Sequence, residues 1–341
     1  MERRTDLALE VRESFPGDDV EVSGVVLEEE NYLDGRIRLT ILSIKNEKGQ
    51  EQMRKPIGNY ITLELTERGK YDDDDEREKT AQTIEMIIAQ TIQKLAPKEG
   101  NVYLAAGLGN RFATPDALGP FVLDDVQVNR HIKEYFHDLM TGSRTLCAVA
   151  PGVMGQTGME SREILGGIIH EVKPCCLLVV DSLAAASVHR LCTTIQITDA
   201  GICPGAGIGN NRNAINEKEL GIPVIAIGVP TVVDASTIVS ECMENTLLKE
   251  GYTLEQIDLF QKSFAGEMIG QLFVTPKDID EQIREIGKLV ARGINAFIDA
   301  ACAGFLYSCE ESIPRKITAV IPTPLHFLLI FRDIVECPLI G

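Results

Sequence analysis

Two aspartates sit where a carboxylate can do chemistry. Asp116 lies in the loop ATPDALGP (113–120), directly after the apolar run 102–107, and Asp181 closes the apolar run LLVVD (177–181). Both runs read as strands, and neighbouring strands bring their carboxyl ends together, so the two side chains meet at one mouth of a sheet. Two carboxylates in a partly dry cleft do not both ionise easily and can share a proton. One then serves as general base toward water, the other as acid toward a carbonyl or leaving group, which is the chemistry of an acid–base hydrolase. A single Asp at a strand end also caps the helix that follows, and that reading stays open for each residue taken alone.

Other chemistries find less support. GLGNRF (107–112) has Phe112, and GAGIGN (205–210) has Asn210, where a dinucleotide fingerprint needs its third glycine, and there is no GxxxxGK[ST]. A serine nucleophile lacks its GxSxG elbow. Ser182 and His189, read as seven residues apart along one helix, do not face each other. Asp116, Asp181 and His131 could meet around a metal, but His131, His137, His170, His189 and His326 form no HxH or HExxH cluster. Neither a metal nor a cofactor is expected.

The elements that must carry these residues follow from hydropathy. Residues 18–45 and 59–65 alternate as half-buried antiparallel strands do. From 102 onward the chain changes to short continuous apolar runs, at 102–110, 146–155, 175–183, 193–201 and 223–231. Helical stretches lie at 125–140 and 159–172, and a further helix at 277–298. The expected fold is α/β: a mainly parallel or mixed sheet covered by helices on both faces, with additional N-terminal antiparallel strands. The acidic run Asp72–Glu76 reads as solvated loop or helix N-terminus.

A formal net charge of −18 excludes wrapping of nucleic acid and adhesion to anionic lipid. The basic start runs into Asp6, Glu10 and Glu13 instead of an apolar leader core. The run 317–331 is broken by Pro322 and Pro324, and reads as a core or interface segment. Nine scattered cysteines without CxxC pairs read as reduced, mostly buried thiols. A cytoplasmic protein with neither membrane nor nucleic-acid partner is expected.

Longer motifs narrow this further. RTDLALE (4–10), GLGN (107–110), TPDALGP (114–120), PGVMGQTGMES (151–161), VVDSLAA (179–185), TIQITDAGICPGAGIGNNR (194–212) and GIPVIAIGVPTVVDA (221–235) together resemble the germination proteases of endospore-forming bacteria. The resemblance implies a homotetrameric endopeptidase made as a zymogen in the developing spore, acting in the spore core on small acid-soluble spore proteins. It also implies a fold related to the hydrogenase-maturation endopeptidases and an atypical aspartic mechanism without a cofactor. The family's two catalytic aspartates fall on Asp116 and Asp181. Two alternatives remain: a metal-dependent maturation endopeptidase on the same fold, and a non-enzymatic spore binding protein.

The family cuts after an acidic residue and before a bulky apolar residue followed by Ala, and Asp6-Leu7-Ala8 presents that order. Residues 1–6 are therefore expected to be a propeptide removed between Asp6 and Leu7. Residues 7–298 would be a single α/β peptidase domain, and 299–341 a C-terminal tail that departs from the family's usual ending. An acidic residue entering so acidic a protein needs a local cation, for which Arg111, Arg190 and Arg212 are candidates. Backbone amides around Gly152, Gly155, Gly205 and Gly207 are candidates to steady the oxyanion.

Overall fold

The computed structural model describes residues 5–15, 22–66, 73–135, 144–208, 212–253, 255–257, 259–260 and 272–310, with backbone alone at 133–135, 208, 245 and 301–310. The strands are β1 (Val25–Tyr32), β2 (Ile37–Ile44), β3 (Gly58–Leu65), β4 (Val102–Gly107), β5 (Thr145–Val149), β6 (Cys176–Ala185), β7 (Thr194–Thr198), β8 (Val224–Asp234) and β9 (Phe273–Val274). Among the described residues they form one nine-stranded sheet, ordered β1-β2-β3-β7-β8-β6-β4-β5, with β9 paired to β8. The half from β8 to β5 is parallel. The half from β1 to β7 is antiparallel, and β7 meets β8 antiparallel as well. The run 193–201 thus belongs to the antiparallel half: its continuous apolarity reflects burial on both faces, which strand direction does not determine.

Helices α1 (Ala8–Glu13), α2 (Glu47–Met53), α3 (Asp74–Leu95), α4 (Leu118–Asp125), α5 (Arg130–Tyr135), α6 (Met154–Thr157), α7 (Ser161–Val172), α8 (Glu217–Leu220), α9 (Ala235–Lys249) and α10 (Ile279–Glu310) flank the sheet or lie in its loops. Asp73 caps α3, its Oδ1 accepting from the N–H of Glu76 at 2.8 Å, so the acidic run is a helix start. One face of the sheet packs against α3, α4 and α10 through Ile84, Ile88, Val122, Ile283, Val290 and Phe297. The other packs against α7 through Leu165 and Ile169, and, in the antiparallel half, against α1 and α2 through Ala8 and Met53.

Of the helix expected over 125–140, the described residues form only α5; α4 ends at Asp125, and 136–140 lie outside the described residues. The link between them is drawn out straight, with Gln127 donating its N–H to Asn295 Oδ1 at 2.9 Å and Asn129 donating its own to the Leu146 carbonyl at 3.0 Å. Ser182 and His189 do not share a helix; the first is in β6 and the second in a 3₁₀ turn, Val188–Arg190. Cys203 and Cys242 are exposed, against the expectation for most thiols, while Cys176 and Cys192 are buried.

The chain divides into two compact units, residues 1–301 and 302–341. The run 317–331, and the tail beyond 310, lie outside the described residues. Among the described residues, no helix is long and apolar enough to cross a membrane.

Candidate active site

β4 stops at Gly107, opposite Val180, whereas β6 continues to Ala185. Asp181 is therefore not the last residue of its strand; it stands just past the point where its neighbour ends. The Leu108 N–H takes the Val180 carbonyl at 2.8 Å, and Asp181 Oδ1 accepts from the N–H of Ser182 at 2.9 Å. Asp181 shares a face of β6 with Leu183 and Ala185 and is only 5 % exposed.

Asp116 ends the 3₁₀ turn Thr114–Asp116. The N–H of Asn110 points at both its carbonyl and its Oδ2, each at 2.9 Å. This close return requires Gly109, at φ +102°, where an added Cβ would lie 1.9 Å from the Asp116 carbonyl oxygen. From below, Thr231 Oγ1 donates to the Pro115 carbonyl at 2.6 Å. Gln156, in α6, donates Nε2 to Asn110 Oδ1 at 2.8 Å and so ties the PGVMG loop to the same turn.

The two carboxyls differ in setting. Burial first, then the charges of Asp116 and Asp6, push Asp181 well above its ordinary 3.8, against the Ser182 N–H and Arg212. Asp116 is also raised by burial, opposed by the Asn110 N–H and Arg212. Asp181 is the more enclosed, and burial holds its carboxyl more strongly toward the neutral form than that of Asp116.

Along the edge of β6 that β4 leaves open runs the chain's own N-terminal segment. Asp6 donates its N–H to the Ala184 carbonyl at 2.9 Å, and the Ala184 N–H donates to Asp6 Oδ2 at 2.9 Å. Two residues on, the Ala186 N–H donates to Glu10 Oε2 at 2.7 Å. A peptide laid on a strand edge in this way is held by main-chain bonds and read by its side chains. Leu7 is fully buried among Leu183, Ala185, Leu191 and Val233, a burial worth about 2–3 kcal/mol. A cavity of about 280 Å³ adjoins this pocket and shares Leu191, Val233 and Ile238 with it.

Lys55 and Gln196 complete the seat. Lys55 Nζ donates to the carbonyls of Asp6 and Thr5 at 3.0 and 3.2 Å. Gln196 accepts from the Ala8 N–H at 2.8 Å and donates Nε2 to the Asp6 carbonyl at 3.4 Å. Burial raises the Asp6 carboxyl, against the Ala184 N–H, Lys55 and the Gly207 N–H. Burial lowers Lys55, against the charges of Asp6, Cys203 and Glu10.

Of the three arginines, only Arg212 acts on the aspartates, lowering both. Arg111 grips Asp124 with two bonds of 2.7 and 2.8 Å and the Pro120 carbonyl at 3.0 Å. Arg190 is taken up by Glu13, through two 2.7 Å bonds, by Glu64 at 2.9 Å and by Glu10 at 3.5 Å, and so clamps the far end of α1. Among the described residues the cation beside Asp6 is Lys55, which no motif flagged. Gln196 did carry a signal, a polar residue inside the apolar run TTIQITD.

Gly207 lies against Asp6; Gly205, at φ +76°, precedes it in the same loop. Gly152, at φ +74°, faces Gln156, and Gly155 has open space around it. Among the described residues no group of three or more His, Cys, Asp or Glu could hold a metal ion.

Residues 3–270 match the family model described as germination protease. The chain belongs to the germination protease family. It is 39 % identical over 319 residues to the germination protease of Clostridium tetani (strain Massachusetts / E88), covering 88 % of this chain and 97 % of that one. The germination protease of Clostridium perfringens (strain 13 / Type A) is 42 % identical over 311 residues, 86 % of this chain and 94 % of the other. That of Caldanaerobacter subterraneus subsp. tengcongensis is 43 % identical over 312 residues, 86 % and 93 %. A [NiFe] hydrogenase maturation protease, HycI from Thermococcus kodakarensis, aligns with TM-score 0.32 and 15 % identity, over 61 % of this chain and 98 % of that one. As a germination protease the chain is a peptidase of spore germination, with protein substrates.

Proposed function

We propose that this germination protease is an atypical aspartic endopeptidase made as a zymogen, which first cuts its own chain between Asp6 and Leu7. It then cuts small acid-soluble spore proteins after an acidic residue, before a bulky apolar residue followed by Ala, as a homotetramer in the spore core. Asp116 is the base that takes a proton from water; Asp181, protonated, is the acid. The observation that carries this reading is the seating of Asp6-Leu7-Ala8 along β6 beside Asp181, whose carboxyl feels the charges of both Asp6 and Asp116. The acidic side chain meets the Ala184 N–H and Lys55, the apolar one a closed pocket, and the Ala8 N–H a dedicated acceptor. The cavity adjoining the Leu7 pocket leaves room for a larger apolar residue in that position.

Burial raises the pKa of the seated Asp6, outweighing the Ala184 N–H, Lys55 and the Gly207 N–H, which all lower it. A carboxyl with a raised folded-state pKa stabilises the seated form fully below its ordinary 3.8, and that contribution is lost as pH rises through the raised value. Self-cleavage should therefore quicken as pH falls through the raised Asp6 value.

Purified full-length chain, incubated in mild acid, should show a new N-terminus Leu-Ala-Leu-Glu by N-terminal sequencing, with the same rate in chelator. Retention of Met1 alongside cleavage of a Glu-Phe-Ala peptide would overturn self-processing alone. Retention of Met1 with no peptide cleavage would overturn the whole reading, and loss of activity in chelator would favour a metal-dependent mechanism.

A further inference from the structure

Register places a third side chain opposite the dyad. Gln196 pairs with Gly228 across β7 and β8, and Gly228 pairs with Asp181 across β8 and β6. Gln196 and Asp181 thus stand in one cross-strand row, their Cα atoms about 10 Å apart at two strand spacings. Ile195, Ile197 and Val180 face the α3–α10 side, so Gln196 and Asp181 both face the other. Between them Gly228 has no side chain and the Leu183 side chain covers it; the Asp6–Leu7 bond lies against the Gln196 end of the row. Gln196 is 5 % exposed, and it bridges that bond: its Nε2 donates to the Asp6 carbonyl at 3.4 Å and its Oε1 accepts from the Ala8 N–H at 2.8 Å. Lys55 Nζ reaches the same Asp6 carbonyl oxygen at 3.0 Å.

We propose that Lys55 and Gln196 hold the oxyanion of the bond being cut, leaving both aspartates free for proton transfer. This rests on self-cleavage at Asp6–Leu7. Water oxygen bonds to the Asp6 carbonyl carbon, its proton passes to Asp116, and the carbonyl π pair moves to the oxygen held by the Lys55 ammonium and the Gln196 amide. The tetrahedral carbon then expels the Leu7 nitrogen, which takes the proton of Asp181. Asp116 returns its proton to Asp181, and the products are the Asp6 carboxyl and the Leu7 amine. Side-chain donors here take the role first sought in the glycine-loop amides.

The test is the first-order self-cleavage rate of the full chain, which contains no KM, together with hydrogen exchange at residues 7–13 to report seating. Gln196→Met should slow cleavage about 100-fold, the typical loss of one oxyanion donor, with protection of 7–13 retained through Leu7 and Glu10. A rate within threefold of the parent, or a loss of rate matched by loss of protection, overturns the proposal. Lys55→Met should slow cleavage at least as much, both in the parent and in an Asp6→Asn background. A Lys55→Met effect that vanishes with Asp6→Asn assigns lysine to the acidic side chain alone and overturns its part. Asp181→Asn keeps the two readings apart: parent and Asp181→Asn cutting equally means the dyad reading has failed. A dead Asp181→Asn beside normal Gln196→Met and Lys55→Met means that only this inference has.

Discussion

Asp181→Asn should give a chain that folds, seats its own N-terminus and fails to cut it. Asp181 is nearly enclosed, and burial pushes its carboxyl well above its ordinary 3.8, toward the neutral form with which an amide is close to isosteric. Its Oδ1 accepts from the Ser182 N–H at 2.9 Å, a bond that an Asn oxygen can keep. What disappears is the transferable proton, and general acid catalysis of this kind contributes about 10²–10⁴-fold. Self-cleavage and peptide hydrolysis should fall at least that far.

Stability should move the other way, with a definite sign. Burying a carboxyl whose folded pKa is raised stabilises the fold fully below 3.8 and progressively less as pH rises through the raised value. In Asp181→Asn that loss is absent. Thermal melts across pH should therefore show the variant gaining on the parent as pH rises, and at neutral pH equalling or exceeding it. A variant that melts lower at every pH would mean Asp181 is a structural carboxylate, ionised and needed as such. Asp116→Asn is the companion: its oxygen can still accept from the Asn110 N–H, but a base has gone, and activity should fall comparably.

The strand runs, the helix stripes and the positions of the two aspartates were readable because each depends on local periodicity or on a residue's place at the end of an apolar run. The seat around Asp6 was not, because its bonds join residues far apart in the chain. Lys55 meets Asp6 across 49 positions and Gln196 across 190. A cation was expected, and arginines in the flanking loops were the natural choice by sequence proximity. Asp124 and Glu13 lie nearer to Arg111 and Arg190 than Asp6 does in the fold, and bidentate pairing with them fixes both guanidiniums. The open edge of β6 was equally hidden. VVDSLAA looks like a strand ending at Asp181, and only the early stop of β4 at Gly107 shows that the strand runs past its neighbour.

That open edge makes Gly207→Ala the sharpest test of how the acidic residue is read. The loop glycine faces the Asp6 carboxylate so closely that an added Cβ would lie 2.2 Å from Asp6 Oδ2 and 2.7 Å from the Ala184 Cβ. The second contact is with a strand position that cannot rotate away, so either the loop shifts outward or Asp6 leaves its seat. In both cases the carboxylate loses the Gly207 N–H, and in the second also the Ala184 N–H and Lys55. A hydrogen bond to a carboxyl that burial holds toward its neutral form contributes about 1 kcal/mol, so losing one or two slows self-cleavage by roughly 5–30-fold. The substitution should do this without touching either aspartate, and thermal stability should stay close to that of the parent because the loop lies outside the main core. A double-mutant cycle isolates the cause. With Asp6→Ala the Ala184 contact still shifts the loop but no acidic side chain is left to lose its partner, and Gly207→Ala should then change the slow residual rate by less than about threefold. Equal losses in both backgrounds would show that Gly207 matters for loop geometry and not for the acidic side chain, and the assignment of this pocket to the residue before the cut would have to be withdrawn.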